Sequence, residues 1–441
     1  MIRRFHIHML VCALMLGGIT ARGAVIYSGY QEIAVPLNFD GVYLNLVTGS
    51  TTTTEPAGWA TGPWINPFYG GVYITNEALV RPVVTGIDQA VNLSSGIIIS
   101  SASTFATGMG GSITHVGPAL NQFQIGTAGN LGFQFEAAPG GATRYGWMNL
   151  TVSNTGSGTI NGWAYDDAAG AIVVGNITQS APLAGAQTIT LSAPLGESFT
   201  LGSALTNSGG NINSLIKTGA GATTLSGAHT FTGGTMVSGG VLNVTNLTGS
   251  ATGTGALTID AGAILSGTGR VNSGGNNIAI NGTLSVGDVT MGSAVSSTLE
   301  IGSSTGGITL GSTGSLRFDL FSGVGAGNNT STLNASDLLI LYGDISLLSG
   351  STLIIGNPSN MSAWAIGDQW RLWDVTNAGT RTGNFALASI IAPLLSGNDK
   401  AWNFDSSSGI LSIIAPEPGR IALTFLGLYG LLLRRRRQHT R

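Results

Sequence analysis

Short runs in which every second residue is apolar recur along most of the chain. Leu131, Phe133 and Phe135 alternate on one run, a Pro-Gly-Gly turn follows, and Tyr145 and Trp147 alternate on the return. Ile160, Trp163 and Tyr165 form a third run, and together these predict antiparallel strands joined by turns. Farther on come Leu257 and Ile259, Ile278 and Ile280, Leu284 and Val286, Leu299 and Ile301, Ile308 and Leu310, then Leu316, Phe318 and Leu320. Each strand is short and ends in Gly, Asn or Ser. A period of two marks a strand with one buried and one solvated face.

The texture of the chain changes near residue 179, where aromatic residues thin out and Gly, Thr and Ser take over. Residues 24–178 read as an antiparallel β-sandwich. Residues 179–355 read as a parallel β-helix, a solenoid in which each rung buries its apolar face on its neighbours. A stack of sandwiches is the alternative for that stretch. Tryptophans return at Trp364, Trp370, Trp373 and Trp402, and GDQWRLWDV reads as one strand. Residues 356–414 are therefore expected to form a C-terminal β cap over the open end of the solenoid.

Composition agrees with an all-β chain. Of 441 residues, 69 are glycine, 43% are hydrophobic and 8% are charged. The apolar share excludes a disordered chain, and the scarcity of Glu, Lys and Arg argues against long helices. The formal charge of −3 hides an asymmetry, because arginines cluster at both ends. Residues 24–415 keep eight basic residues and nineteen of the 20 acids, so this body should repel nucleic acid. Cys12 lies in the first apolar run, which leaves the body without cysteine and its stability independent of disulfides.

Both ends read as addresses. Residues 1–23 have Arg3 and Arg4, the apolar run MLVCALMLGGI, and small residues before a cut between Gly23 and Ala24, as a secretory signal peptide requires. Residues 415–441 hold Pro416, Glu417 and Pro418, an apolar run over 421–433, and the positive-inside cluster Arg434, Arg435, Arg436 and Arg437. The run alone would span about 20 Å as a helix, and extending it to Pro418 with Arg420 snorkelling makes a thin transmembrane helix. This three-part order resembles the PEP-CTERM sorting signal. The resemblance implies recognition by an exosortase, an integral-membrane cysteine transpeptidase, with cleavage near the motif. It further implies export through the inner membrane of a Gram-negative, biofilm-forming bacterium, with the C-terminal helix as a transient anchor. Arg420 departs from the small or apolar residue common at that place. Such tails also carry the label of an ice-binding-protein C-terminal domain. That label describes the tail, and the body's threonines are too irregular for the flat ladder that ice binding needs. The segment GFQF…RYGWMNLTV…INGWAYDD resembles an N-terminal β-domain common among PEP-CTERM proteins, and that resemblance implies no activity.

A second resemblance lies within 215–245. Lys217, Gly219, Leu225, Ser226, Gly227, Thr230, Phe231, Gly233, Gly234, Thr235 and Val237 match the autotransporter-associated β-strand repeat, with His229 in place of the usual asparagine. It supports the β-helix. A classical autotransporter passenger is disfavoured, since arginines stand where a membrane β-barrel would follow.

Candidate chemistry is sparse. His115 and His229 are expected as exposed turn residues, in no triad or metal motif. Asp166 and Asp167 are adjacent and should face opposite ways. Arg317 and Asp319 should pair on a solvent face, while Asp337, Asp344, Asp368 and Asp374 scatter over many rungs. No catalytic residue, metal or cofactor is expected. Trp59 and Trp64, with Tyr69 and Tyr73, lie in the stretch GWATGPWINPFYGGVY. Rings on such loops can stack on sugars, although their commoner use is as core.

The expected protein is a secreted, exosortase-sorted, non-catalytic structural protein of the cell surface or extracellular matrix. Its partners would be the secretion machinery, the exosortase, the inner membrane and extracellular polysaccharide. A carbohydrate-binding adhesin is the first alternative, and a β-helix polysaccharide lyase or hydrolase the second.

Overall fold

The computed structural model of the chain describes residues 24–415 apart from 77–78, 86–88, 108–111, 115, 117–122, 154–155, 180–185, 208–211, 288–295, 322–335, 359–363, 375–377 and 396–398. The leader with Gly23, the motif Pro416, Glu417 and Pro418, the apolar run after it and Arg434 to Arg437 lie outside the described residues, as does His115. Among the described residues the regular elements are strands, with two short 3-10 turns at Trp59–Thr61 and Leu387–Ser389. No helix among them is long and apolar enough to cross a membrane.

The alternating segments pair as period two dictates. Ala128–Glu136, Thr143–Thr151 and Gly158–Asp166 form an antiparallel meander. A second, mainly antiparallel sheet, including Tyr43–Asn45, Trp64–Phe68 and Tyr73–Asn76, shares a core with one face of the meander. Leu44, Ile65 and Ile74 meet Leu131, Phe133, Met148, Leu150 and Ile160 there. Gly146 lies opposite Phe133, and a Cβ at that glycine would collide with the ring. Tyr145 and Trp147 belong instead to the core of the solenoid. The meander is thus buried on both faces, which explains its density of aromatic residues.

Parallel pairing begins where the texture changes. One sheet stacks Ser198–Leu201, Ala222–Leu225, Val241–Val244, Ile264–Gly267, Thr283–Val286, Ser315–Asp319 and Thr352–Gly356 in register. The facing sheet stacks Ala186–Ser192, Ile212–Thr218, Thr235–Val237, Leu257–Ile259, Ile278–Ile280, Thr298–Leu310 and Leu338–Leu347. Parallel sheets of this kind fit a β-helix. The expected pairs, from Leu257 and Ile259 to Leu316, Phe318 and Leu320, are buried in one continuous core. Burying each such side chain is worth roughly 1.5–3 kcal/mol, so the column of Leu and Ile is the main stabiliser.

Both ends of the stack are covered. The strand Ala24–Tyr27 pairs antiparallel with Gly158–Asp166 and parallel with Ser198–Leu201, so one sheet runs from sandwich into solenoid without a break. At the far end, Gln369–Arg371, Ala401–Asp405 and Ile410–Ile414 form a small antiparallel sheet. Trp364, Trp370 and Trp402 pack there with ring centroids 5.2–5.7 Å apart. GDQWRLWDV is not one strand. Gln369–Arg371 joins the antiparallel sheet, whereas Trp373–Asp374 continues the parallel ladder beside Leu339 and Ile340. The segment splices stack to cap at Leu372, so tryptophans of one run serve two layers.

Candidate functional site

The rings singled out in the sequence occupy different environments. Trp59 is 7% exposed and meets Tyr43 edge to face, with ring centroids 4.9 Å apart. Trp64 is half-buried on Trp64–Phe68. Tyr69 is more open and holds φ at 56°, a left-handed conformation uncommon for a residue with a side chain. Its ring lies 5.1 Å from that of Phe39 and 6.2 Å from that of Tyr73.

A cleft of about 210 Å³ opens between the meander and the first rungs, lined by Tyr27, Tyr30, Trp147, Asn149, Asn161, Gly162 and Ile177. Two neighbouring strands bring Asn149 and Asn161 to its floor, and Asn130 on a third strand stands behind them. Asn161 Nδ2 donates to Asn149 Oδ1 at 2.8 Å and to Thr151 Oγ1 at 3.2 Å. Asn149 Nδ2 donates to Asn130 Oδ1 at 2.9 Å, and Asn130 Nδ2 to the Leu93 carbonyl at 3.2 Å. Trp147 Nε1 donates to Asn176 Oδ1 at 3.2 Å. Tyr30 donates its hydroxyl to Glu32 Oε1 at 3.3 Å. Burial, and to a smaller degree Tyr30, push the Tyr27 phenol above its usual range, so it stays protonated. Sequence reading missed this site. Asn130, Asn149 and Asn161 are visible in three successive runs, but only the pairing register places them side by side.

Two basic groups lie inside the solenoid. Lys217 stands in an inward column between Leu191 and Val237 and is 0% exposed. Its Nζ donates to the carbonyls of Thr218 at 2.6 Å, Gly219 at 3.1 Å and Gly239 at 3.1 Å. Burial lowers its pKa to about 8. His229 is not an exposed turn residue: it is 2% exposed, because its turn is bonded to the neighbouring rungs on both sides, His229 N–H to the Ser250 carbonyl and Thr230 N–H to the Leu205 carbonyl. The Leu205 amide donates to its Nδ1 at 2.8 Å, which leaves the proton on Nε2 in the neutral ring. That Nε2 is buried without a partner among the described residues, and burial lowers the pKa to about 4.

The acids are also more buried than expected. Arg317 and Asp319 do share a face, with Nη2 3.3 Å from Oδ1, but that face is covered and the residues are 8% and 3% exposed. Asp337 is brought to them across the rung. Its Oδ1 accepts the Ser297 amide and its Oδ2 the Asp319 amide, each at 2.9 Å. Burial, reinforced by Asp319 and outweighing those two donors, raises its pKa to about 7. With both oxygens on backbone amides and 2% exposure, this carboxylate ties strands together. An acid that moves a substrate proton must come within hydrogen-bond reach of it. Asp344 is exposed and accepts the amide and hydroxyl of Thr380 at 2.6 and 2.7 Å. Asp368 is buried and accepts the Ala365 amide at 2.8 Å. Asp166 is buried, whereas Asp167 is half-exposed and its Oδ1 accepts the Ala24 amide at 2.7 Å. Among the described residues no group of three or more His, Cys, Asp or Glu is placed to hold a metal ion.

Residues 215–244 match the model of the Passenger-associated-transport-repeat family. The matched segment supplies the rung that holds Lys217, His229 and Phe231. The chain is also similar to the Adhesin BmaC autotransporter of Brucella suis biovar 1 (strain 1330), with 31% identity over 239 residues. The similarity covers 52% of this chain and 6% of that protein, so the chain matches a small part of the relative's length.

Proposed function

We propose that this protein is an exported, non-catalytic, adhesin-like component of the cell surface or extracellular matrix. The observation that carries this function is the continuous stack of rungs, capped at both ends, with a passenger-associated repeat as one of its layers. Such a stack displays long ordered faces while its charged groups are turned into staples. Similarity to an autotransporter adhesin supports the same role. A strain lacking the protein should adhere less to surfaces or to its own matrix polymer, and re-expression should restore adhesion. Unchanged adhesion would overturn the proposal.

Export and sorting complete the picture. The secretion machinery would remove residues 1–23 between Gly23 and Ala24. An exosortase would then process the tail at Pro416, Glu417 and Pro418, while Arg434 to Arg437 hold the helix in the inner membrane. Mass spectrometry of both termini of the native protein tests this. Replacing the three motif residues with alanine should leave the tail attached and the chain anchored. Normal release of that variant would remove exosortase from the account.

A further inference from the structure

We propose that the cleft beside Tyr30 and Asn161 is a subsite for one neutral pyranose ring of an extracellular polysaccharide. This rests on the adhesin function above and adds to it a site and a ligand class.

Size sets the first limit. At about 210 Å³ the cleft is smaller than the ~300–1,000 Å³ of pockets for drug-sized ligands, so it suits a single ring. Its walls combine the half-exposed ring of Tyr30 and the edges of the buried rings of Tyr27 and Trp147 with side-chain amides from Asn149 and Asn161. A pyranose has the matching surface, with C–H faces that lie on aromatic rings and a rim of hydroxyls that bond to amides.

The hydrogen bonds on the floor all run one way. Asn161 donates to Asn149, Asn149 to Asn130, and Asn130 to the Leu93 carbonyl. Both N–H bonds of Asn161 are used, on Asn149 and Thr151. What remains is its Oδ1, which accepts no hydrogen bond among the described residues. A chain of amides aligned in this way polarises its members, so a hydroxyl donating to that oxygen would join a cooperative series.

Charge selects among sugars. None of the lining side chains is charged at neutral pH, and the carboxylate of Glu32 reaches the rim through Tyr30. Uronates and sulfated or phosphorylated sugars would need Arg or Lys there. An extended peptide would need a free strand edge. Gly158–Asp166 offers none, being paired with Thr143–Thr151 on one side and with Ala24–Tyr27 and Ile33–Val35 on the other. Gly162 lets the strand pass close to the loop that carries Tyr30, since a Cβ there would sit 2.8 Å from the Gly29 carbonyl.

The test titrates the full chain with methyl glycosides of glucose, galactose and mannose, and with methyl glucuronide. Tryptophan fluorescence and saturation-transfer NMR report binding. At least one neutral glycoside should bind and the glucuronide should not. Tyr30→Ala and Asn161→Ala should each weaken binding about tenfold or more, with the thermal midpoint recorded to show that the variants fold. If Tyr30→Ala unfolds the chain, Asn161→Leu, which keeps the side-chain shape and removes the accepting oxygen, must still weaken binding. Binding of the glucuronide, binding of a peptide in place of a glycoside, or neutral-sugar binding untouched by these variants would overturn the subsite. Loss on Trp59→Ala or Trp64→Ala alone would do the same while leaving the adhesin function standing. Normal adhesion by the deletion strain would remove that function even if the cleft binds sugar.

Discussion

Lys217 Nζ lies 3.1 Å from the carbonyl oxygen of Gly239, one rung along the stack. The lysine stem fills a place in a column otherwise held by Leu, Val and Ile, while the ammonium binds carbonyls at the corner. Lys217→Ala should therefore destabilise the protein by roughly 2–5 kcal/mol through the cavity and the unpaired carbonyls. Lys217→Met, which keeps the volume, should cost less. Chemical denaturation of the two variants checks the order.

The same lysine predicts a pH dependence. Its pKa falls from 10.5 in the unfolded chain to about 8 in the fold. Between those values the unfolded chain binds the extra proton, so stability should rise with pH from about 8 to 10.5. The wild-type protein should show this rise and Lys217→Met should not. Equal slopes for the two proteins in urea denaturation would contradict a buried ammonium.

His229 works in the acid range. With a pKa of 6.5 unfolded and about 4 folded, it should cost stability as pH falls from 6.5 towards 4, on the order of 2–3 kcal/mol. Asparagine, the usual residue of the repeat at this place, has an acceptor for the Leu205 amide and does not titrate. His229→Asn should flatten the acid limb of the stability curve. A variant that unfolds with the same pH profile as wild type would rule out the histidine as its source.

Asp337 should act in the opposite direction. Its folded pKa of about 7 lies above the unfolded 3.8, so the stability it contributes is full below 3.8 and is lost as pH rises towards 7. Asp337→Asn should remove that component. It should also cost about 1–3 kcal/mol at low pH, because an amide oxygen can serve one of the two backbone donors while its NH2 faces the other. Denaturation midpoints at pH 4 and pH 8 separate the two effects.

Asp167 bears on the leader. Cleavage before Ala24 would turn the nitrogen 2.7 Å from Asp167 Oδ1 into an ammonium. The contact would then become a partly exposed ion pair worth about 1 kcal/mol or less. Asp167→Ala should lower the thermal midpoint more in a chain that starts at Ala24 than in one that keeps extra leader residues. Identical losses would show that the new ion pair adds nothing to the hydrogen bond.

The parts of this fold legible in the sequence are those set by local alternation. Leu257 with Ile259, or Ile308 with Leu310, must share a face, and the only stable use of that face is a core. The parts that were not legible depend on register between strands far apart in the chain. Alternation puts Arg317 and Asp319 on one side, but it does not say that this side is covered or that Asp337 arrives there. Nor does it show that His229 sits on a turn bonded to the rungs on both sides, or that Leu372 divides a run between two sheets. The cleft is the clearest case, since its two asparagines come from neighbouring strands and its three rings, Tyr27, Tyr30 and Trp147, from stretches more than a hundred residues apart.

The seam between sandwich and solenoid has a mechanical consequence. Ala24–Tyr27 meets Ser198–Leu201 through two register pairs, whereas the next seam, between Ser198–Leu201 and Ala222–Leu225, has four. Tension along the stack is carried by successive seams in series, so within this sheet the two-pair seams, this one and that of Thr352–Gly356 with Ile390–Ile391 at the far end, yield before the wider ones. The covalent chain through residues 167–197 keeps the separated parts joined. A pull on a tethered ligand would thus be absorbed by a sacrificial joint that lengthens the molecule and can close again, before any rung of the rod unravels.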